Sequence, residues 1–122
     1  NMSNPMPSGV EIQLDRKRRL YFGWNAFCSF EERMDKSIMD ALGDGNNLRF
    51  DTIRSLLWAG LLWEQESLTP EEAGNLIDSV PEDAAEDGTL AAKAQYVMER
   101  VLVAMEAHNM VAKKKAKAKK AS

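Results

Sequence analysis

The chain has 122 residues, 44% of them hydrophobic and 29% charged, with a single cysteine, which suits one folded domain with its own core and makes neither disorder nor a coiled rod the expectation. Net charge is -3, but six of the 16 basic residues are lysines within 113–120. Without them ten basic residues face nineteen acidic ones, so an acidic body, near -9, precedes a basic string.

Residues 1–9 hold Pro5 and Pro7 and no apolar period, and are set aside from the fold as a disordered arm. Val10, Ile12 and Leu14 then alternate with Glu11, Gln13 and Asp15, and beyond the polar stretch 16–19 Leu20, Phe22 and Trp24 alternate again. This predicts a β-hairpin with one wet and one buried face. A lone hairpin is marginal in water, so the helices that follow must cover it.

Asn25 is the predicted N-cap of a helix carrying Phe27, Phe30 and Met34 on one face, and Cys28 between them reads as a small core residue. Ser37, with Asp40 three residues on, resembles a capping box for a short helix bearing Ile38, Ala41 and Leu42; residues 43–47 break the chain. The clearest helical period is in 51–64, where Ile53, Leu56, Leu57, Gly60 and Leu61 recur at spacings of three and four. Trp58, Leu62 and Trp63 lie off that stripe, so this helix is either buried centrally or keeps an apolar face for a partner. The longest apolar run, 56–63, is far shorter than the roughly 20 residues that span a bilayer.

Thr69, Pro70 and Glu72 predict a dense helix start, with Leu68 placed to staple onto Ala73; the helix turns Ala73, Leu76, Ile77 and Val80 inward and ends before Pro81. An acidic loop, 82–88, leads to a last helix striped by Ala94, Val97, Met98, Val101, Met105 and His108. The expected fold is α+β: an N-terminal hairpin followed by four to five helices packed on one face, a single domain over 10–112, then a flexible lysine-rich tail over 113–122.

Candidate chemistries are thin. Cys28 and His108 lie 80 positions apart, and one of each cannot fill a structural zinc site. Asp40, Asp44, Gly45 and Asp51 imitate an EF-hand calcium loop, but Leu42 stands at a ligand position, Asn47 where an apolar residue is wanted, and the final Glu is a shorter Asp. There is no glycine-rich phosphate cradle. The lysine tail has no aromatic residue to stack on bases, which makes nucleic acid an unfavoured partner. No enzyme, cofactor or metal is expected. With no secretory signal pattern and no possible internal disulfide, the expected setting is the cytoplasm. What remains is an apolar surplus: Trp24, Trp58 and Trp63 with seven methionines, fit for holding an amphipathic helix. The predicted partner surface is Trp58, Leu62 and Trp63, with Met98, Val101 and Met105 of the last helix as its lid or a self-association face.

Val10-Glu-Ile-Gln-Leu-Asp leading into a second strand, followed by Trp24-Asn-Ala-Phe-Cys-Ser-Phe-Glu-Glu-Arg-Met, resembles the opening of the tail assembly chaperones of gene transfer agents and siphophages, with their "LDG" hairpin and "NALxxLEE" helix. The resemblance continues through Ser37-Ile-Met-Asp-Ala-Leu, Ile53-Arg-Ser-Leu-Leu-Trp-Ala-Gly-Leu and Leu68-Thr-Pro-Glu-Glu-Ala-Gly-Asn-Leu-Ile-Asp, covering about 60% of the chain. Asp15-Arg16-Lys17 departs from it by lacking the turn glycine, and the helix after Asp87 does not align. The resemblance implies a factor of the bacterial host cytoplasm that binds the tape measure protein of a phage or prophage, keeps it soluble and assists tail tube assembly without catalysis. It also implies that relatives occur in short and frameshifted long forms. The rival expectation is a structural virion subunit, a tail tube or head-tail joining protein that forms rings.

Overall fold

A computed structural model describes residues 9–43 and 48–107. Strands β1 (Val10–Gln13) and β2 (Lys17–Leu20) form an antiparallel hairpin, and five helices follow: α1 (Trp24–Met34), α2 (Ile38–Leu42), α3 (Phe50–Leu61), α4 (Pro70–Asp78) and α5 (Leu90–Ala107). This is the expected α+β class, with the hairpin first and the helices after it.

The hairpin closes through Leu14, Asp15 and Arg16, without glycine. Asp15 grips Arg18 with both carboxylate oxygens, at 2.8 and 3.0 Å, and that hydrogen-bonded pair holds the Asp15 carboxyl below the usual carboxylate range. Strand β2 therefore starts earlier than expected, inside the polar stretch. Arg18 sits opposite Ile12 in the register, and it is tolerated on the inner face because its head meets Asp15 and the Gln65 side chain. Leu20 and Phe22 are fully buried, as the alternation requires. Trp24 breaks the alternation: it is the first residue of α1 and 84% exposed.

Gly23, rather than Asn25, caps α1; its carbonyl accepts from the amides of Ala26 and Phe27. Phe30 is buried and Phe27 packs on Phe22 with ring centroids 5.6 Å apart. Cys28 is exposed, not core, because about 100° of rotation per residue carries it off the Phe27–Phe30–Met34 stripe. At α2 the Ser37 hydroxyl accepts from the Asp40 amide, and the Glu31 carboxylate accepts from Ile38, so two otherwise unpaired helix N–H groups are satisfied.

Helix α3 is the centre of the molecule. It touches α1, α4, α5 and β2 and buries Ile53, Leu56, Leu57, Ala59, Gly60 and Leu61, which settles the earlier alternative for most of its length. Gly60 is what lets the hairpin onto it: a Cβ there would stand 2.7 Å from the Phe22 ring and 2.9 Å from Leu20. The Tyr21 amide then donates to the Gly60 carbonyl at 2.9 Å, satisfying one of the carbonyls that a helix end leaves open. At the other end Arg33 bridges the buried Ser55 hydroxyl and Asp51, and Asp51 also takes Arg54. The Arg54 and Arg33 hydrogen bonds depress the Asp51 carboxyl.

The capping box at α4 forms as the sequence predicts: the Glu72 amide donates to Thr69 Oγ1, and the Thr69 amide donates to the Glu72 carboxylate. Thr89 caps α5 through the Ala92 amide. Tyr96 and Arg100 of α5 lie against the hairpin, where the Gln13 amide donates to the Tyr96 hydroxyl and Arg100 donates to the Glu11 carbonyl. Four residues of helix rise about 6 Å and two residues of strand about 6.7 Å. That match lets one helix face occupy the polar groups of an edge strand that would otherwise invite another chain. Residues 44–47 of the predicted chain break over 43–47, residues 1–8 of the predicted arm, His108 and the lysine tail lie outside the described residues.

Gly60→Ala should lower the thermal midpoint, because the overpacking cost of about 1–3 kcal/mol exceeds the roughly 1 kcal/mol of helix propensity gained. Gly74→Ala in α4 should raise it, since the added carbon meets only the Arg54 side chain at 3.6 Å. Thermal unfolding followed by circular dichroism checks both signs.

Candidate functional site

Where the first turn of α3, the end of α4 and the first half of α5 meet, the apolar surface is left open. A recess of about 240 Å³ is lined by Phe50, Ile53, Ile77, Leu90 and Ala94, with Arg54, Gly74 and Asp78 at its sides. A second recess, about 380 Å³, shares Phe50, Ile53 and Ala94 and runs on along α5 past Met98 to Leu102. The two make one groove. Its walls are apolar side chains held out to solvent: Phe50 is 68% exposed, Leu90 59% and Leu102 45%.

The local reasons are geometric. Phe50 and Leu90 are the first residues of their helices, so neither has an earlier turn of its own helix for the side chain to lean back over. Leu102 follows Val101 and is rotated out of the buried line of Val97, Val101 and Met105. Contiguous exposed apolar surface of this kind marks an interaction site more often than an accident of composition.

A separate recess of about 400 Å³ lies at the hairpin end, lined by Tyr21, Trp24, Ala26, Leu62, Trp63 and Glu66 among others. Trp63 is half-buried there, its ring against Tyr21 with centroids 5.5 Å apart and its indole N–H donating to the Arg19 carbonyl at 2.9 Å. Trp58 stands elsewhere and donates to the Leu68 carbonyl at 2.8 Å. Trp58 thus ties the loop before α4 to α3, and Trp63 ties β2 to the turn that follows α3.

Among the described residues no group of three or more His, Cys, Asp or Glu side chains is arranged to hold a metal ion, and no helix is long and apolar enough to cross a membrane. Asp51, the last position of the calcium-loop imitation, is occupied by two arginines, and Asp44 and Gly45 lie outside the described residues. No family model, curated protein or solved structure matches the chain.

The six residues predicted for partner binding are therefore dispersed. Leu62 and Trp63 line the hairpin-end recess, Met98 lines the long groove, and Trp58 lines neither. Val101 and Met105 are corrected outright: both are fully buried, because the stripe they belong to is the face that α5 turns onto β1, β2 and α3. They present no exposed association face. Phe50, Leu90 and Leu102 were missed, since a search for periodic stripes passes over helix-initial residues and singletons off the stripe.

Trp63→Phe should cost about 1 kcal/mol by removing the indole N–H that donates to the Arg19 carbonyl. Trp24→Ala should stay within about 0.5 kcal/mol, as expected of an exposed surface side chain. Chemical denaturation of the three proteins under identical conditions checks the ranking.

Proposed function

We propose that this chain is a tail assembly chaperone of a phage or prophage, acting in the cytoplasm of the bacterial host and working by binding rather than catalysis. Its partner is the tape measure protein, whose apolar helical segments it keeps soluble while tail tube subunits are recruited. The observation that carries this is the open groove between α3, α4 and α5, with Phe50, Leu90 and Leu102 exposed along it. Such a groove suits an amphipathic helix. The order of motifs from the hairpin to α4, which resembles that chaperone family, supplies the identity of the partner.

The groove is a better candidate surface than the indoles of Trp58 and Trp63. Trp58 and Trp63 each spend their N–H group on a backbone carbonyl of the same chain, so replacing them alters the fold together with any binding. A ring-forming virion subunit would also need exposed apolar surface, and it is separated by where the protein ends up. Co-expression with a phage tape measure protein should keep that protein soluble and co-purify it, while purified particles should lack this chain. Its recovery from particles in a fixed multiple would assign it to the virion, and failure to co-purify the tape measure protein would remove the chaperone function.

A further inference from the structure

The segment that supplies the α4 and α5 walls of the groove is rich in carboxylates as well as apolar side chains. Between residues 64 and 107 the sequence holds eleven carboxylates and two cations, Lys93 and Arg100. Arg100 donates to the Glu11 carbonyl on the hairpin side, and Lys93 donates to the Asp78 carbonyl at 2.7 Å. Asp78 lines the groove, and Glu99 and Glu106 flank Leu102 at helical spacings of three and four, on the same side of α5. Among the described residues none of these three carboxylates is in an ion pair. Residues 82–87, just before Leu90, add Glu82, Asp83, Glu86 and Asp87. On the α3 wall Arg54 is held by Asp51 and Glu71, and Arg49 is the N-cap residue of that helix.

We propose that the groove takes an amphipathic helix whose apolar stripe is flanked, on the side facing α4 and α5, by lysine or arginine. The stretch of α5 from Leu90 to Leu102 spans roughly 18 Å at 1.5 Å per residue, matching three to four turns of a bound helix. The apolar stripe fills the floor between Phe50, Ile53, Ala94 and Met98, and the basic flank meets Asp78, Glu99 and Glu106. An acidic flank would be repelled by the same groups, so the rim selects among apolar helices that the floor alone would accept equally. The proposed function supplies the tape measure protein as the natural source of such a helix; the groove chemistry itself stands apart from that identity.

The test uses the full chain and two dye-labelled synthetic helices with the same leucine stripe, one flanked by lysines and the other by glutamates. Fluorescence anisotropy at low salt should show the lysine peptide binding at least tenfold more tightly, with the gap narrowing as salt rises. Phe50→Ser with Leu90→Ser should weaken it at least tenfold without lowering the thermal midpoint, both side chains being largely exposed. Asp78→Lys with Glu99→Lys should reverse the preference between peptides. Equal binding of the two peptides, or an affinity untouched by the serine pair, would overturn the proposal. So would self-association lost in the serine pair with no peptide bound, which would give the groove to a second copy. Binding seen only after removal of residues 113–122 would give it to the chain's own basic end. Peptide discrimination without co-purification of the tape measure protein would refute the proposed function and leave this inference standing; co-purification without discrimination would do the reverse.

Discussion

The absence of one side chain, at Gly60, sets the arrangement of everything else. Without a Cβ there, Phe22 and Leu20 come down onto α3, and the Tyr21 amide reaches a helix carbonyl that would otherwise be open. A four-residue pair of strands cannot bury an apolar face alone, and a helix as apolar as α3 cannot stay in water. Each supplies the cover the other lacks. Trp63 and Arg18, bonded to the Arg19 carbonyl and to Asp15 and Gln65, hold the joint from its sides.

That joint also decides where cover runs out. The hairpin occupies the C-terminal end of α3, and α1, α4 and α5 take its flanks. The N-terminal turn, with Phe50 and Ile53, is left to the margins of α4 and α5, and there the groove opens. Asp78 lines this groove, and the acidic rim proposed around it would disfavour a second acidic molecule of the same kind.

Much of this was legible in the chain because the signals were local. The Thr69–Glu72 box, the Ser37 cap and the alternation through Ile12, Leu14, Leu20 and Phe22 each depend on neighbours within a few residues, and each forms. Other features depend on what a face meets. Period marks Val101 and Met105 as apolar stripe but not as buried stripe, and the same pattern on α5 would suit a partner equally well. Trp24 looked like a continued strand because nothing in the sequence says that Gly23 stops one. Cys28, exposed beside two phenylalanines, has the same lesson: adjacency in sequence is not adjacency on a helix face. The exposed groove residues were hidden for the opposite reason, as Phe50 and Leu90 owe their exposure to being first in a helix.

Hydrogen–deuterium exchange of the chain alone and with co-expressed tape measure protein tests the central claim most directly, because it reads the surface covered without altering it. Added protection should fall on the first turn of α3, the end of α4 and the Leu90–Leu102 stretch of α5, leaving the segment around Trp24 and Trp63 unchanged. Protection confined to the hairpin end, or none at all in a complex that has formed, would contradict the groove as the proposed partner site.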